Sequence, residues 1–267
     1  MKRYLVMPLL CAFVLLVCAC AAKPEPQESS SAPEPSTAAP SSAAPVPSQT
    51  EPPPSTEESV PLVSETPEIA YETVDQRLNP YRNMVGEAWA QVISAVRNTG
   101  ETPLLLESSP FQVRSKDGTA VASDSRVSAY PQVIAPGETG YYYVETYLET
   151  EDLDGLTLEF TPKVSEAAGE QLFFSTTETS LRDSRYGGME LVGMIRNSTQ
   201  ADAKHYCIAV LLFDAEGRLA GQFSDVPSEV LKASATQHFE LSSFMLPDTL
   251  KAADVAEYRV LAYELAD

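Results

Sequence analysis

The chain repeats itself at a spacing of 99 residues. Residues 96–99 read Val-Arg-Asn-Thr, and residues 195–198 read Ile-Arg-Asn-Ser. Twenty residues after each asparagine stands a glycine, Gly118 in the first copy and Gly217 in the second. Like segments at one fixed spacing indicate two copies of a single supersecondary unit. We therefore expect two similar modules, one after the other.

Each copy alternates apolar and polar residues with a period of two. Residues 156–160, Leu-Thr-Leu-Glu-Phe, alternate over their whole length, as a half-buried strand requires. Residues 205–213 carry β-branched and aromatic side chains on both faces, which predicts a central strand. About seven short strands in roughly 95 residues are typical of an immunoglobulin-like sandwich. We therefore predict an all-β fold of two tandem immunoglobulin-like β-sandwich modules, at residues 71–165 and 170–267.

One short helix is predicted in the second copy, from Pro247 to Val255. Proline fits the first turn of a helix, and Leu-Lys-Ala-Ala follows within the segment. Pairs such as Asp117-Gly118 and Glu216-Gly217 predict the turns between strands.

Two segments and a glycine of the second copy follow a known pattern. Residues 191–197 form an apolar run that ends in asparagine, residues 210–214 read Val-Leu-Leu-Phe-Asp, and Gly217 follows. The second copy thereby resembles the FxLYD domain, a small β-sandwich of bacterial secreted and lipid-anchored proteins, over residues 186–265. In the first copy, residues 111–115 lack the Tyr-Asp pair, and this copy is similar to the broader set of Ig-like modules in surface lipoproteins. The resemblance implies a fold and an envelope setting, with no established activity.

The first twenty residues resemble the leader of a bacterial lipoprotein. A Met-Lys-Arg start precedes an uncharged apolar run, residues 4–19, and small and polar residues follow, as in a secretory signal. Residues 17–20, Val-Cys-Ala-Cys, resemble the lipobox, in which a small residue precedes the modified cysteine. The resemblance implies a signal peptide at residues 1–19, a lipid on Cys20 and membrane attachment through that lipid. An ordinary cleaved signal or an uncleaved anchor is the alternative.

A segment rich in proline, serine and glutamate follows the leader, at residues 20–67. From residue 21 it holds twelve prolines, ten serines, seven glutamates and no aromatic residue. Such a composition buries too little apolar surface to offset the entropy of ordering the chain. We therefore predict a disordered, extended linker that carries the modules away from the membrane.

The acidic composition argues against several functions. The chain has 38 acidic and 18 basic residues and a formal charge of −20, whereas nucleic-acid binding needs a basic footprint. Two histidines and four cysteines leave little room for a transition-metal site, and no hydrolase, metalloprotease or calcium motif stands at a working spacing. Cys207 lies in an apolar run and is expected to be a buried, inert thiol. We predict no enzyme, no metal, no cofactor and no nucleic-acid partner.

Two function classes stay open. The first is a lipid-anchored protein on the extracytoplasmic face of a bacterial cell membrane, with a Gram-positive cell favoured. Its modules would bind an envelope protein or a cell-wall glycan, or act as a scaffold, without catalysis. The second is an accessory or substrate-binding component of a transporter or envelope enzyme.

Three tyrosines of one predicted strand form the candidate binding surface. Alternation puts Tyr141, Tyr143 and Tyr147 on one face and Tyr142 and Val144 on the other. Tyr142 and Val144 align with apolar residues of the second copy, so their face is expected inside and the three tyrosines outside. Tyrosine is enriched at interfaces and sugar sites. Two alternatives are that the stripe docks on the second module, or that its hydroxyls cover a polar sheet face.

Overall fold

Sixteen strands account for most of the part of the chain that the structure describes. The computed structural model describes residues 69–185, 187–243 and 245–265. The predicted signal peptide, the lipid site at Cys20 and the linker lie outside the described residues. Beside the strands, the described residues form turns, loops and one three-residue 3-10 turn, Ala252–Asp254. The predicted all-β sandwich fold is confirmed.

Ten strands form the part that we call the first module. Their bounds are β1 Tyr71–Arg82, β2 Ala88–Asn98, β3 Leu104–Glu107, β4 Ser109–Arg114, β5 Ala120–Val127, β6 Ala129–Tyr130, β7 Val133–Ile134, β8 Thr139–Tyr147, β9 Thr157–Phe160 and β10 Lys163–Glu166. They pair in the orders β1-β2-β8-β6, β10-β3-β7 and β5-β4-β9. The alternating segment at residues 156–160 is strand β9, apart from its first residue.

Six strands form the second module. Their bounds are β11 Phe173–Asp183, β12 Met189–Arg196, β13 Tyr206–Phe213, β14 Leu219–Asp225, β15 Thr236–Ser243 and β16 Glu257–Glu264. Their order is β14-β13-β16-β11-β12-β15. Phe173 and Phe174 pair with β16, and the rest of β11 pairs with β12. Strand β11 therefore links the two halves of the module, as strands that switch sheets do in sandwiches.

The first module has its own apolar core. Tyr142 and Leu148 from the β8 region are fully buried there, with Val92 and Val96 from β2. The hydroxyl of Tyr142 donates to the backbone carbonyl of Glu107 at 3.0 Å. The predicted inward face of β8 is therefore confirmed.

Strand β13 is the central strand of the second module, as predicted. It lies between β14 and β16, and all eight of its residues are buried. Ile208, Val210 and Leu212 belong to the core that includes Leu191 and Phe239. The alternate residues, which begin with Cys207, point to the opposite face. A strand that is buried on both faces needs a second layer, and the first module supplies it.

The two equivalent asparagines of the repeat make the same hydrogen bonds. Asn98 and Asn197 are both fully buried. Each side-chain amide donates to two backbone carbonyls and accepts a bond from a backbone N–H of the following turn. The carbonyls belong to Thr102 (2.8 Å) and Ile134 (3.1 Å) for Asn98, and to Ala201 (2.8 Å) and Leu231 (3.2 Å) for Asn197.

The predicted helix from Pro247 to Val255 is wrong. The segment makes i→i+3 bonds, from Leu250 N–H to the Pro247 carbonyl and from Asp254 N–H to the Lys251 carbonyl. Nine residues are too few for a stable α-helix in water, and tight 3-10 turns satisfy the backbone instead. In the described part of the chain, no helix is long and apolar enough to span a bilayer.

Candidate functional site

The tyrosine stripe of β8 faces the second module. Tyr143 is only 7% exposed and belongs to the same apolar cluster as Leu211 and Phe213 of β13. The Tyr141 ring meets the Phe213 ring edge-on, with centroids 5.5 Å apart. The prediction that the stripe points outward as one binding surface is therefore wrong for Tyr143 and for the half-buried Tyr141. Tyr147, at the end of the strand, is 51% exposed.

The stripe is covered because the outer face of the second module is itself apolar. Cys207 and Ala209 of β13 and Tyr263 of β16 form a cluster on that face. Tyr130 of the first module packs against this cluster, and its hydroxyl accepts a bond from the Ser224 hydroxyl at 3.1 Å. An uncovered face of this kind would expose a large apolar area to water.

Polar bonds fix the position of the first module on the second. The Arg77 guanidinium donates to the Leu219 carbonyl at 2.8 Å, and the Gln91 amide donates to the Ala220 carbonyl at 2.8 Å. Both acceptors lie at the start of β14. The edge of the contact is thus hydrogen-bonded, and its centre is apolar.

A carboxylate lies at this interface. Glu145 of β8 accepts hydrogen bonds from the Tyr81 hydroxyl (2.9 Å), the Gln91 amide (3.2 Å) and the Tyr143 hydroxyl. Burial raises the pKa of Glu145 from 4.5 to about 7, although the three hydrogen bonds act in the opposite direction. The interface therefore holds a group that changes its charge near neutral pH.

An exposed apolar surface lies where the β1–β2 hairpin meets the second module. We call it the Trp89 patch, and its residues are Met84, Val85, Trp89, Tyr147 and Met245. The exposed fractions of Met84, Val85 and Met245 are 81%, 78% and 54%. The Trp89 and Tyr147 rings pack edge-on with centroids 6.1 Å apart and planes at 76°. A cleft of about 180 Å³ is lined by four of these residues, Met84, Val85, Trp89 and Met245, and by Tyr81, Asn83, Leu246 and Asp248.

Hydrogen bonds hold the hairpin tip of the patch in place. The Asn83 side chain accepts bonds from the Val85 and Glu87 backbone N–H groups at 3.2 and 2.9 Å. The Met84 N–H donates to the Asp248 carboxylate at 2.6 Å. Asp248 belongs to the second module, so both modules build the patch.

A larger cleft, of about 660 Å³, lies at the joint between the modules. Its lining residues are Leu105, Val133, residues 167–172, Asp202, Lys204, His205, Glu264 and Leu265. His205, Lys204 and Glu170 are exposed, and Asp202 is paired with Lys232 at 2.8 Å. The charged groups of this cleft are therefore solvated or already paired.

Of the two cysteine predictions, one is confirmed and the other lies outside the described residues. Cys207 is buried, as predicted, and burial raises the pKa of its thiol to about 11. His205 and His238 are exposed. Cys20 lies outside the described residues, so its modification stays a prediction. Within the described ranges, no group of three or more His, Cys, Asp or Glu side chains is arranged to hold a metal ion.

Sequence reasoning missed two features of the site. Glu145 lies on the same strand face as Tyr143, two residues away, and the alternation that singled out the tyrosines also includes it. The Trp89 patch had a signal in the apolar pair Met84-Val85 between the polar residues Asn83 and Glu87, which places apolar side chains at a turn. No family model matches this chain, and no curated protein is similar to it, so its function must be argued from its own residues.

Proposed function

We propose that this protein is a lipid-anchored, extracytoplasmic binding protein of a bacterial envelope and that it acts without catalysis. The leader and the lipobox-like residues 17–20 support the anchor. The linker at residues 20–67 supports a display role, because such a composition holds a folded part away from a membrane. The resemblance of the second module to the FxLYD domain supports the envelope setting.

The exposed Trp89 patch is the feature that most directly supports the binding role. Three of its residues are more than half exposed, and Met245 of the second module adds a fourth. Contiguous apolar surface on a soluble module marks a contact site, and Trp, Tyr and Met are enriched at protein interfaces. Hydrogen bonds fix the supporting turn before any partner binds, which lowers the cost of ordering it.

The second candidate function is an accessory or substrate-binding component of a transporter or envelope enzyme. The cleft of about 660 Å³ at the joint favours it, because ligand sites occur preferentially where modules meet. The charges of this cleft are exposed to water, which makes it the weaker candidate.

Metabolic palmitate labelling of cells that carry Cys20→Ser tests the anchor. We expect the label to be lost and uncut precursor to accumulate, because the modified cysteine directs cleavage in lipoproteins. Cys18→Ser is the matched control and should keep the label. Labelling that survives Cys20→Ser would contradict the proposal.

Photo-crosslinking in intact cells tests the binding role. A crosslinker at Val85 should capture a discrete partner band, whereas one at the exposed Glu229, remote from the patch, should not. If crosslinkers at Val85, at Lys204 in the larger cleft and at Glu229 all capture nothing, the protein does not bind a partner and the proposal fails.

A further inference from the structure

We infer that the Trp89 patch binds a polypeptide segment of a partner protein that places a lysine or arginine side chain beside apolar residues. This inference rests on the proposed binding function and names the chemistry of its partner.

The Trp89 patch has an acidic rim, which Asp248 and Glu87 form. Asp248 lines the cleft, and Glu87 accepts bonds from the Asn83 amide at 2.8 Å and the Trp89 indole N–H at 3.4 Å. Within the described residues, no lysine or arginine is paired with Asp248 or Glu87. The Arg82 guanidinium reaches the hairpin and donates to the Gly86 carbonyl at 2.6 Å, but the carboxylate that it pairs with is Glu151, at 3.0 Å. Glu87 and Asp248 therefore offer two carboxylates that have no basic partner of their own.

The cleft beside this rim has an aromatic lining. Tyr81 and Trp89 line the same cleft as Asp248. Aromatic faces attract a lysine or arginine cation, most strongly when a carboxylate is near and water is excluded. The cleft of about 180 Å³ has room for one or two side chains, while Met84, Val85 and Met245 extend the apolar surface around it. A peptide with one basic anchor and apolar neighbours fits this arrangement.

Two other occupants fit less well. A second copy of this chain would bring another −20 of formal charge against an acidic rim, and like charges disfavour self-association. A glycan stacks on flat aromatic faces, whereas the Trp89 and Tyr147 planes lie at 76° to one another. Thioether side chains adapt their shape to a peptide but offer a sugar no hydrogen bonds.

Peptide selection provides the test, with the compact unit Leu62–Asp267 as the target, because it contains both modules and all of the patch. The probe is a random dodecapeptide library displayed on phage. Trp89 is the chain's single tryptophan, so its fluorescence reports binding at the patch for each selected peptide. Glu87→Gln with Asp248→Asn removes the rim charge, and Glu101→Gln with Glu229→Gln removes two exposed charges elsewhere as the matched control.

We expect the selected peptides to be enriched in lysine and arginine next to aliphatic or aromatic residues and to shift the Trp89 emission. The rim variant should bind them at least tenfold more weakly, and the control variant should bind them like the wild-type protein. Met84→Ser with Met245→Ser, at exposed positions, should weaken binding without lowering the melting temperature. Selection of acidic or uncharged peptides, or equal binding by the rim variant, would overturn the inference. Patch-dependent self-association, or a shift of Trp89 emission by glycan fragments with none by basic peptides, would also overturn it.

The cellular crosslinks separate this inference from the proposed function. If a partner is captured at Lys204 but not at Val85, the proposed binding function stands, but the Trp89 patch is not the binding site and this inference fails. A partner captured at Val85 through an acidic segment would keep the site and overturn its chemistry.

Discussion

One buried asparagine closes each module at the same point. The side chain of Asn197 supplies donors to the carbonyls of Ala201 and Leu231 and an acceptor to the Thr199 N–H. The Leu231 carbonyl also accepts a bond from the Ala203 N–H at 2.9 Å, in an isolated β-bridge. The asparagine therefore adds a second donor at this bridge and ties the following turn to it. The same device in Asn98 explains why this residue recurs after 99 residues.

Asn197→Ala should lower the free energy of unfolding by about 2–4 kcal/mol, since a fully buried side chain loses three hydrogen bonds to the backbone, each contributing about 1 kcal/mol. Urea denaturation of the unit Leu62–Asp267 measures this. Gln200→Ala, three residues away and exposed, should change it by less than about 0.5 kcal/mol. A loss of that small size in Asn197→Ala would show that the remaining donors, such as the Ala203 N–H, satisfy the backbone without the asparagine.

Glu145 makes stability depend on pH at the residue scale. Its folded-state pKa is raised from 4.5 to about 7, so the folded state binds the proton more tightly than the unfolded chain. Its contribution to stability is therefore fully present below about pH 4.5 and is lost as the pH rises through about 7. The titratable groups that face it are the phenols of Tyr81 and Tyr143.

We expect the unfolding free energy of the wild-type protein to fall relative to that of Glu145→Gln between pH 5 and pH 8, by on the order of 3 kcal/mol at most. Denaturant titrations of both proteins at several pH values in this range give the difference. If the difference between the two unfolding free energies stays constant from pH 5 to pH 8, Glu145 is solvated or remains charged in the folded protein.

Strand β8 shows how one element serves two layers. Its Tyr142 side fills the first core, and its Tyr143 side faces the second module. Gly140 lies near the start of the strand, where a Cβ would stand 2.4 Å from Leu106 Cδ1 and 3.2 Å from the Pro131 carbonyl oxygen. The close approach of β8 to the β3 region therefore depends on this glycine.

Gly140→Ala should lower the free energy of unfolding by about 1–3 kcal/mol, because the added methyl overpacks a filled core. Gly169→Ala is the control, since a Cβ there meets nothing within 4 Å. Thermal unfolding of both variants measures the effect. Equal melting temperatures for the two variants would show that Leu106 moves aside at no cost.

The two modules act as one body because each covers an apolar face of the other. Tyr143 and Ile93 join the cluster of the second module, and Gln91 bonds to Ala220 across the contact. The Trp89 patch depends on this docking, because the Met84 N–H is bonded to Asp248 of the second module. The docking of the modules therefore decides whether the patch is assembled.

Tyr141→Ser with Tyr143→Ser should lower the free energy of unfolding by about 3–5 kcal/mol through lost burial at the contact. Hydrogen exchange should also accelerate in β13, whose outer face loses its cover. Tyr147→Ser, at an exposed position of the same strand, should leave both measurements nearly unchanged. An unaltered melting temperature in the double variant would mean that the modules are held together elsewhere.

The sequence by itself determined the features that depend on local pattern. The period of two identified the strand at 156–160 and the inward side of Tyr142, because alternate side chains of a strand always lie on opposite faces. The apolar character of residues 205–213 identified the buried central strand. The turn glycines Gly118 and Gly217 have φ values of 89° and 75°, which other residues rarely adopt.

Only the tertiary structure decided the burial of Tyr141 and Tyr143 against the second module, the raised pKa of Glu145 and the assembly of the Trp89 patch. Each of these depends on which outer faces meet. A strand pattern states that a face points away from its own core, but it does not distinguish a face in water from one against a second module. Met84 and Asp248 are 164 residues apart, and only the packing of the two sheets brings them together.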